Sequence, residues 1–256
     1  MLREIKDGYV KAERHNGVMT VEFYHPQSNS LPGSLLEALT HEIHSAGHDH
    51  DSHVIVLRSA GERAFCAGAS FEELMAIETA EQGLQFFSGF AHLINEMRKC
   101  PKMIIVRIHG RCVGGGVGIA AAADYAIAAE GADVKLSELA IGIGPFVVGP
   151  AVERKIGLAN FSSLAIDSTM WRDAEWARRR GLYAELHSHV TDMDESISRL
   201  ANQLAHSSQE AMTQLKQCLW KGTEHWDQLL LERASMSGRL VLSPFAKAAI
   251  QKFKKK

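Results

Sequence analysis

The chain has 256 residues, 46% of them hydrophobic, enough for one large domain, or a domain with an appendage, built around a sizeable core. Its formal charge of −2 offers nothing to attract nucleic acid or an anionic membrane, and Cys66, Cys100, Cys112 and Cys218 lack the CxxC pairing of a disulfide framework or a zinc site. No segment reaches the roughly 18 uncharged apolar residues of a membrane span, and the opening MLREIKDGYVKAERHNG has no apolar run of signal-peptide length, so a cytoplasmic protein with reduced cysteines is expected.

The predicted elements begin with a hairpin from Val10 to Phe23, turning at His15-Asn16-Gly17. Leu35, Leu36, Leu39 and Ile43 recur at helical spacing within a helix over Leu31–Ala46, and VIVLR in His53–Arg58 reads as a buried strand. A second amphipathic helix, Glu81–Cys100, stops at Pro101. The strand Met103–Ile108 follows, then a glycine cluster that opens a helix running to about Asp124. Two short strands, Tyr125–Ala129 and Asp133–Leu136, complete the β-rich part. From Ala151 helical patterns dominate, most clearly over Asp194–Ala205 and Gln209–Leu242. No repeat or linker interrupts the chain, so the helical end is expected to pack on the core or on a neighbouring subunit.

Two segments are placed to carry chemistry. The first, RIHGRCVGGGVGIAAAA from Arg107, runs from strand through glycines into helix. Such a junction presents unpaired N–H groups and the positive end of a helix dipole to electron-rich ligands. A phosphate-cradling loop is a poor reading because no Gly-Lys-Ser/Thr follows. A dinucleotide fingerprint matches better: Gly116 to Ala121 reads GxGxxA, and Glu138 stands 20 residues after Gly118, where a ribose-binding acid falls. The plain alternative is tight packing of a helix on a sheet. The second segment, RAFCAGASFEEL from Arg63, again passes through a glycine into a helical pattern. One N–H from each segment, aimed at a single oxygen, would stabilise charge developing on a thioester or ester carbonyl.

AFCAGAS together with IHGRCVGGGVGIAAAADYAIA resembles the enoyl-CoA hydratase/isomerase, or crotonase, family, and the likeness continues in SNSLPGSLLEAL and LSELAIGIGPFVVGPAVERKIG. It covers about the first 185 residues clearly. The resemblance implies an α/β fold, a spiral of ββα turns giving two β layers, in residues 1–190, with a helical C-terminal region, 191–256, that helps form trimers or dimers of trimers. It also implies an acyl-CoA thioester as substrate, with no cofactor beyond the CoA that the substrate carries. By position, the N–H groups of Ala69 and Gly115 become oxyanion-hole donors, with Ala67, Gly68, Phe71, Gly114 and Phe146 around the substrate.

Family hydratases usually carry two glutamates. Here Glu138 matches the second, while Gly118 stands where the first would be. Adding water across a double bond benefits from two carboxylates, whereas moving a proton between two carbons needs one base that returns what it removed. The expectation therefore leans to 3-enoyl-CoA to 2-enoyl-CoA isomerisation. Hydration, other acyl-CoA lyase or hydrolase chemistry, and a non-catalytic acyl-CoA-binding relic stay open, as does a plain surface, helix-start role for Glu138. Ser70 and Glu72 depart from the family's usual aspartate and lysine. Lys252, Lys254, Lys255 and Lys256 are candidates for CoA phosphates, if not a solvated helix end.

Candidates for the acyl pocket are Phe71, Leu74, Phe86, Phe87, Phe90, Phe146 and Val147. His41, His44 and His48 share a helix face near His50 and His53, but no carboxylate or cysteine scaffold accompanies them and no metal site is expected. Trp171, Trp176 and Trp226 read as packing residues, because no basic patch interleaves with them.

Overall fold

The computed structural model describes residues 2–5 and 8–254, with side chains from 8 to 252. Strands β1 (Leu2–Ile5), β2 (Gly8–His15) and β3 (Val18–Tyr24) pair antiparallel. The β2–β3 turn sits on Asn16 and Gly17, at φ 48° and 75°, a conformation asparagine and glycine accept most readily. Helix α1 (Gly33–His48) leads to β4 (Val54–Ser59) and β5 (Ala64–Cys66), followed by α2 (Phe71–Ala76) and α3 (Ala80–Lys99). The next turn repeats the order as β6 (Met103–Ile108), β7 (Arg111–Val113) and α4 (Gly115–Ala122). The third brings β8 (Tyr125–Ala129), β9 (Val134–Lys135), a 3-10 turn at Leu139–Ile141, then α5 (Gly149–Ile156), α6 (Leu158–Ile166) and α7 (Ala174–Arg179). Strand β10 (Glu185–His187) and helices α8 (Val190–Ala205), α9 (Gln209–Leu219), α10 (Trp226–Leu240) and α11 (Pro244–Lys254) complete the described chain.

Successive turns thus give one strand to each of two sheets. The larger has the order β1-β2-β3-β4-β6-β8-β10 and is parallel from β3 onward; the smaller, β5-β7-β9, is parallel throughout. This is the ββα spiral, with a helical C-terminal region, that the sequence motifs imply.

The apolar run in β4 follows from burial on both faces. Ile55 and Leu57 join the main core with Ile104, Val106 and Ile108 of β6, while Val54 and Val56 face the other way with Met103 and Ile105. Helix α8 covers that second face through Met193, Ile197, Ala201 and Ala205. Helix α10 lies against α3 so closely that a Cβ on Gly83 would fall 2.6 Å from Gly238 Cα. Helix α9 is pinned by a buried pair: Lys216 Nζ lies 2.8 Å from Asp124 Oδ2, whose carboxylate also accepts from Ile104 N and Trp220 Nε1.

Several elements differ from the sequence reading. Helix α1 starts at Gly33, after the extended Pro32, and α4 ends at Ala122 because Ala123 turns extended. The single helix expected over Gln209–Leu242 is two, broken where Gly222 takes φ 87°. Strands β1 and β10 are additional to the elements expected from the sequence. The three residues of β10 gain their strand character from parallel pairing with β8.

Candidate active site

Gly114, at φ 50° and ψ −110°, holds a backbone conformation that L side chains rarely adopt. It turns the chain from β7 into α4, so the first N–H groups of that helix have no intrahelical acceptor. Gly115 opens the helix, and the first bond back is Gly118 N to Gly114 O at 3.1 Å. Facing this turn is the chain after β5. Leu31 N donates to Gly68 O at 2.7 Å and Ser70 N donates to Leu31 O at 3.3 Å, a parallel bridge that turns the Ala69 N–H away from Leu31. Gly68, at φ 87°, approaches the glycine turn so nearly that a Cβ there would sit 2.9 Å from Val113 O and 3.6 Å from Gly115 N. Two distant segments of the sequence are thereby brought within contact.

They border one narrow pocket whose cavity is about 60 Å³. Ala67, Gly68, Ala69, Phe71, Gly114, Gly115, Glu138 and Phe146 all line it, as do Leu74, Phe87, Phe90 and Val147. Phe86 does not. It packs edge-on against Phe87 and Phe90 and lines a separate groove between α1 and α3 instead. Lys252 lies exposed on α11 and is absent from the pocket wall of its own chain; the side chain of Lys254, and Lys255 and Lys256, fall outside the described residues. Sequence reasoning missed Ser137, Val148 and Ser237, which also line the pocket. Ser137 and Val148 lie inside segments already singled out, but nothing in the local sequence marks Ser237 on α10.

Glu138 does begin a helical turn, yet its carboxyl is not on the surface. Its carbonyl accepts from Ile141 N and Ile143 N, each at 3.1 Å, which orients the turn, and Gly142 behind it is in contact with Phe245 of α11. A Cβ on Gly114 would meet Glu138 Oε1 at 2.9 Å, so the carboxylate lies directly on the glycine turn. Oε2 is sealed from solvent and unpartnered among the described residues. Burial without a compensating cation pushes the Glu138 carboxyl from 4.5 up to about 7, a value matched to proton transfer near neutral pH. Cys66, under the first segment, is a poor nucleophile: burial pushes its thiol up to about 12.

The family departures have local explanations. Ser70 caps α2, its hydroxyl accepting from Glu73 N. Glu72 is exposed on the first turn of that helix, and Glu73 Oε2 accepts from Gly33 N at 2.7 Å, tying α2 to α1. His44 meets Glu96 at 3.0 Å and His48 bonds the His44 carbonyl. Trp226 is buried and Trp176 packs on the core, but Trp171 stands half-exposed beneath Arg111 and Lys135, at 5.0 and 4.6 Å. Those cations come from β7 and β9, so their approach was not visible along the sequence. Cys218 is likewise exposed rather than buried.

A two-layer ββα spiral that sets two backbone-donor segments against one buried carboxylate is the architecture of the crotonases. The fold is shared with an enoyl-CoA hydratase from Bacillus halodurans at a TM-score of 0.88, with 22% identity, over 95% of this chain and 99% of that one. The profile of the family Enoyl-CoA hydratase/isomerase matches residues 13–255, and the chain belongs to that family of enzymes. Among curated relatives, a Bacillus subtilis (strain 168) protein named "Probable enoyl-CoA hydratase" is 28% identical over 93% of both chains. The peroxisomal Delta(3,5)-Delta(2,4)-dienoyl-CoA isomerase of Arabidopsis thaliana is 27% identical over 68% of this chain and 66% of its own. The dinucleotide reading is thereby displaced.

Proposed function

We propose that the protein isomerises a 3-enoyl-CoA thioester to the 2-enoyl-CoA through an oxyanion-stabilised enolate, with Glu138 as the one acid–base group. The carrying observation is that Glu138 is the only carboxylate lining the pocket among the described residues, at a pKa near 7. Its carboxylate removes a proton from C2, and the electron pair moves through the enolate onto the thioester oxygen. The N–H groups of Ala69 and Gly115 receive that charge, at about 3 kcal/mol each by the usual worth of such donors. Glu138 then returns the same proton to C4, and the double bond comes to rest between C2 and C3. No cofactor is needed, because no electron leaves the substrate. The reading keeps the protein in the cytoplasm and makes it a homotrimer or a dimer of trimers.

Hydration is the second reading, favoured by the name of the Bacillus subtilis relative. A mass-spectrometric assay of a panel of 2-enoyl- and 3-enoyl-CoA thioesters separates them. Isomerisation predicts interconversion without mass change, and hydration predicts a product heavier by one water. Acyl-CoA binding without turnover on any member would indicate a relic that has lost its chemistry. Calorimetric binding of NAD, with no binding of acetyl-CoA or a longer acyl-CoA, would overturn the acyl-CoA reading itself.

A further inference from the structure

Ser237 is 1% exposed and is the single residue of α10 in the pocket wall. Its carbonyl is taken by Val241 N at 3.0 Å, but its hydroxyl has no hydrogen-bond partner among the described residues. Other helical hydroxyls here bond back one turn: Thr40 Oγ1 to Leu36 O and Ser198 Oγ to Asp194 O, both at 2.8 Å. Ser237 makes no such bond to Arg233. Unlike Glu138 Oε2, the Ser237 hydroxyl is not sealed from solvent, so it is open to a hydrogen-bond partner that enters the pocket.

Its place is fixed by the backbone contact of Gly238 with Gly83 on α3. Gly83, Phe87 and Phe90 lie along one face of α3, and Phe90 is the residue packed on Gly115. At 1.5 Å of rise per residue, Gly83 and Phe90 are about 10 Å apart along the helix. Ser237, next to Gly238, thus enters the pocket wall at the Gly83 level of α3, about 10 Å along that helix from Phe90. Among the described residues no Lys, Arg or His lines the pocket, so a charged group on the ligand would be buried without a compensating cation from them near Glu138.

Resting on the acyl-CoA reading above, we infer that Ser237 is a specificity-determining residue that selects acyl groups bearing a neutral oxygen substituent, a hydroxyl or a ketone, toward the end remote from the thioester. The hydroxyl of Ser237 can donate to a ketone or exchange hydrogen bonds with an alcohol. An alkyl chain leaves it unpaired, and a carboxylate meets no cation.

The test is a set of three enoyl-CoA thioesters of equal chain length, ending in methyl, hydroxymethyl or carboxylate. Native enzyme is expected to favour the hydroxyl-bearing member over the methyl one about tenfold in kcat/KM and to use the carboxylate poorly. Ser237→Ala should bring the hydroxyl-to-methyl ratio down to about one. Ser237→Cys, nearly the same size but a weak hydrogen bonder, should do the same if the alanine variant misfolds. A general packing defect would lower both substrates and leave the ratio where it was. Equal use of the methyl and hydroxyl members by the native enzyme, or an unchanged ratio in a folded variant, overturns the inference and leaves the acyl-CoA reading intact. If none of the three turns over, dissociation constants of the saturated analogues give the same ratio by calorimetry. Failure of every analogue to bind removes both readings together.

Discussion

A Cβ placed on Gly118 would stand 2.5 Å from Val148 Cγ1 and 2.9 Å from Val148 Cβ. The position that the family resemblance assigns to the first glutamate is thus closed by Val148, the residue just before α5. Gly118→Glu alone is therefore not expected to create a hydratase. Gly118→Ala should already lower stability by about 1–3 kcal/mol by overpacking, in spite of alanine's better helix propensity. Thermal unfolding checks this, and an alanine variant as stable as the native chain would mean that Val148 yields freely.

The pH dependence of Glu138 has two opposite consequences. As the base it must be ionised, so kcat/KM should rise about tenfold per pH unit up to a break near pH 7. For stability the sign reverses. The folded value, about 7, lies above the ordinary 4.5, so the protonated form is the one the fold favours: its contribution is full below pH 4.5 and is lost as pH rises through 7. Glu138→Gln should lower turnover by about 10²–10⁴ while retaining acyl-CoA binding. Above pH 7 it should also unfold at higher denaturant, by up to about 3 kcal/mol. Unchanged turnover in this variant would mean that the base lies elsewhere.

Gly115 and Phe90 form a second tight pair. A Cβ on Gly115 would fall 2.2 Å from Phe90 Cε1, so Gly115→Ala must displace the ring and with it the wall opposite the glycine turn. Acyl-CoA affinity is expected to fall at least tenfold, and Phe90→Leu in the same chain should recover part of it. No recovery in the double variant would mean that the damage lies in the turn rather than in the ring.

The buried Asp124–Lys216 pair should behave asymmetrically. Asp124→Ala leaves Lys216 charged and buried and removes the acceptor of Trp220 Nε1, which is expected to cost about 3–5 kcal/mol in chemical denaturation. Replacing both residues with apolar side chains of similar volume should cost less than the single change. A larger loss in the double variant would contradict this account.

Oligomerisation has a visible surface to work with. Leu158, Ile166 and Met170, on and just after α6, are 62%, 73% and 54% exposed. Light scattering is expected to give about three or six times the 28.1 kDa chain mass. Ile166→Asp should shift that mass downward, and a native chain that stays monomeric at micromolar concentration contradicts the trimer.

The sequence by itself determined what depends on short spans. The Asn16-Gly17 turn, the two-faced apolar strands β4 and β6 and the two glycine-bearing strand-to-helix junctions are local, because turn conformation, pleat alternation and helix starts are set within a few residues. The paired junctions also sufficed to indicate the family and to single out Glu138. Only the tertiary structure decided how these parts meet. It put Gly68 against the Gly115 turn, sealed Glu138 Oε2, filled the space at Gly118 with Val148, turned Phe86 out of the pocket and brought Ser237 in from a helix far down the chain. The cause is physical: burial and contact depend on which elements pack together, and a single helical position such as Ser237 carries no local mark of the cavity it will face. For the same reason the break at Gly222 and the three-residue strand β10 carry no local mark, since pairing and helix crossing, rather than propensity, fix where those elements begin and end.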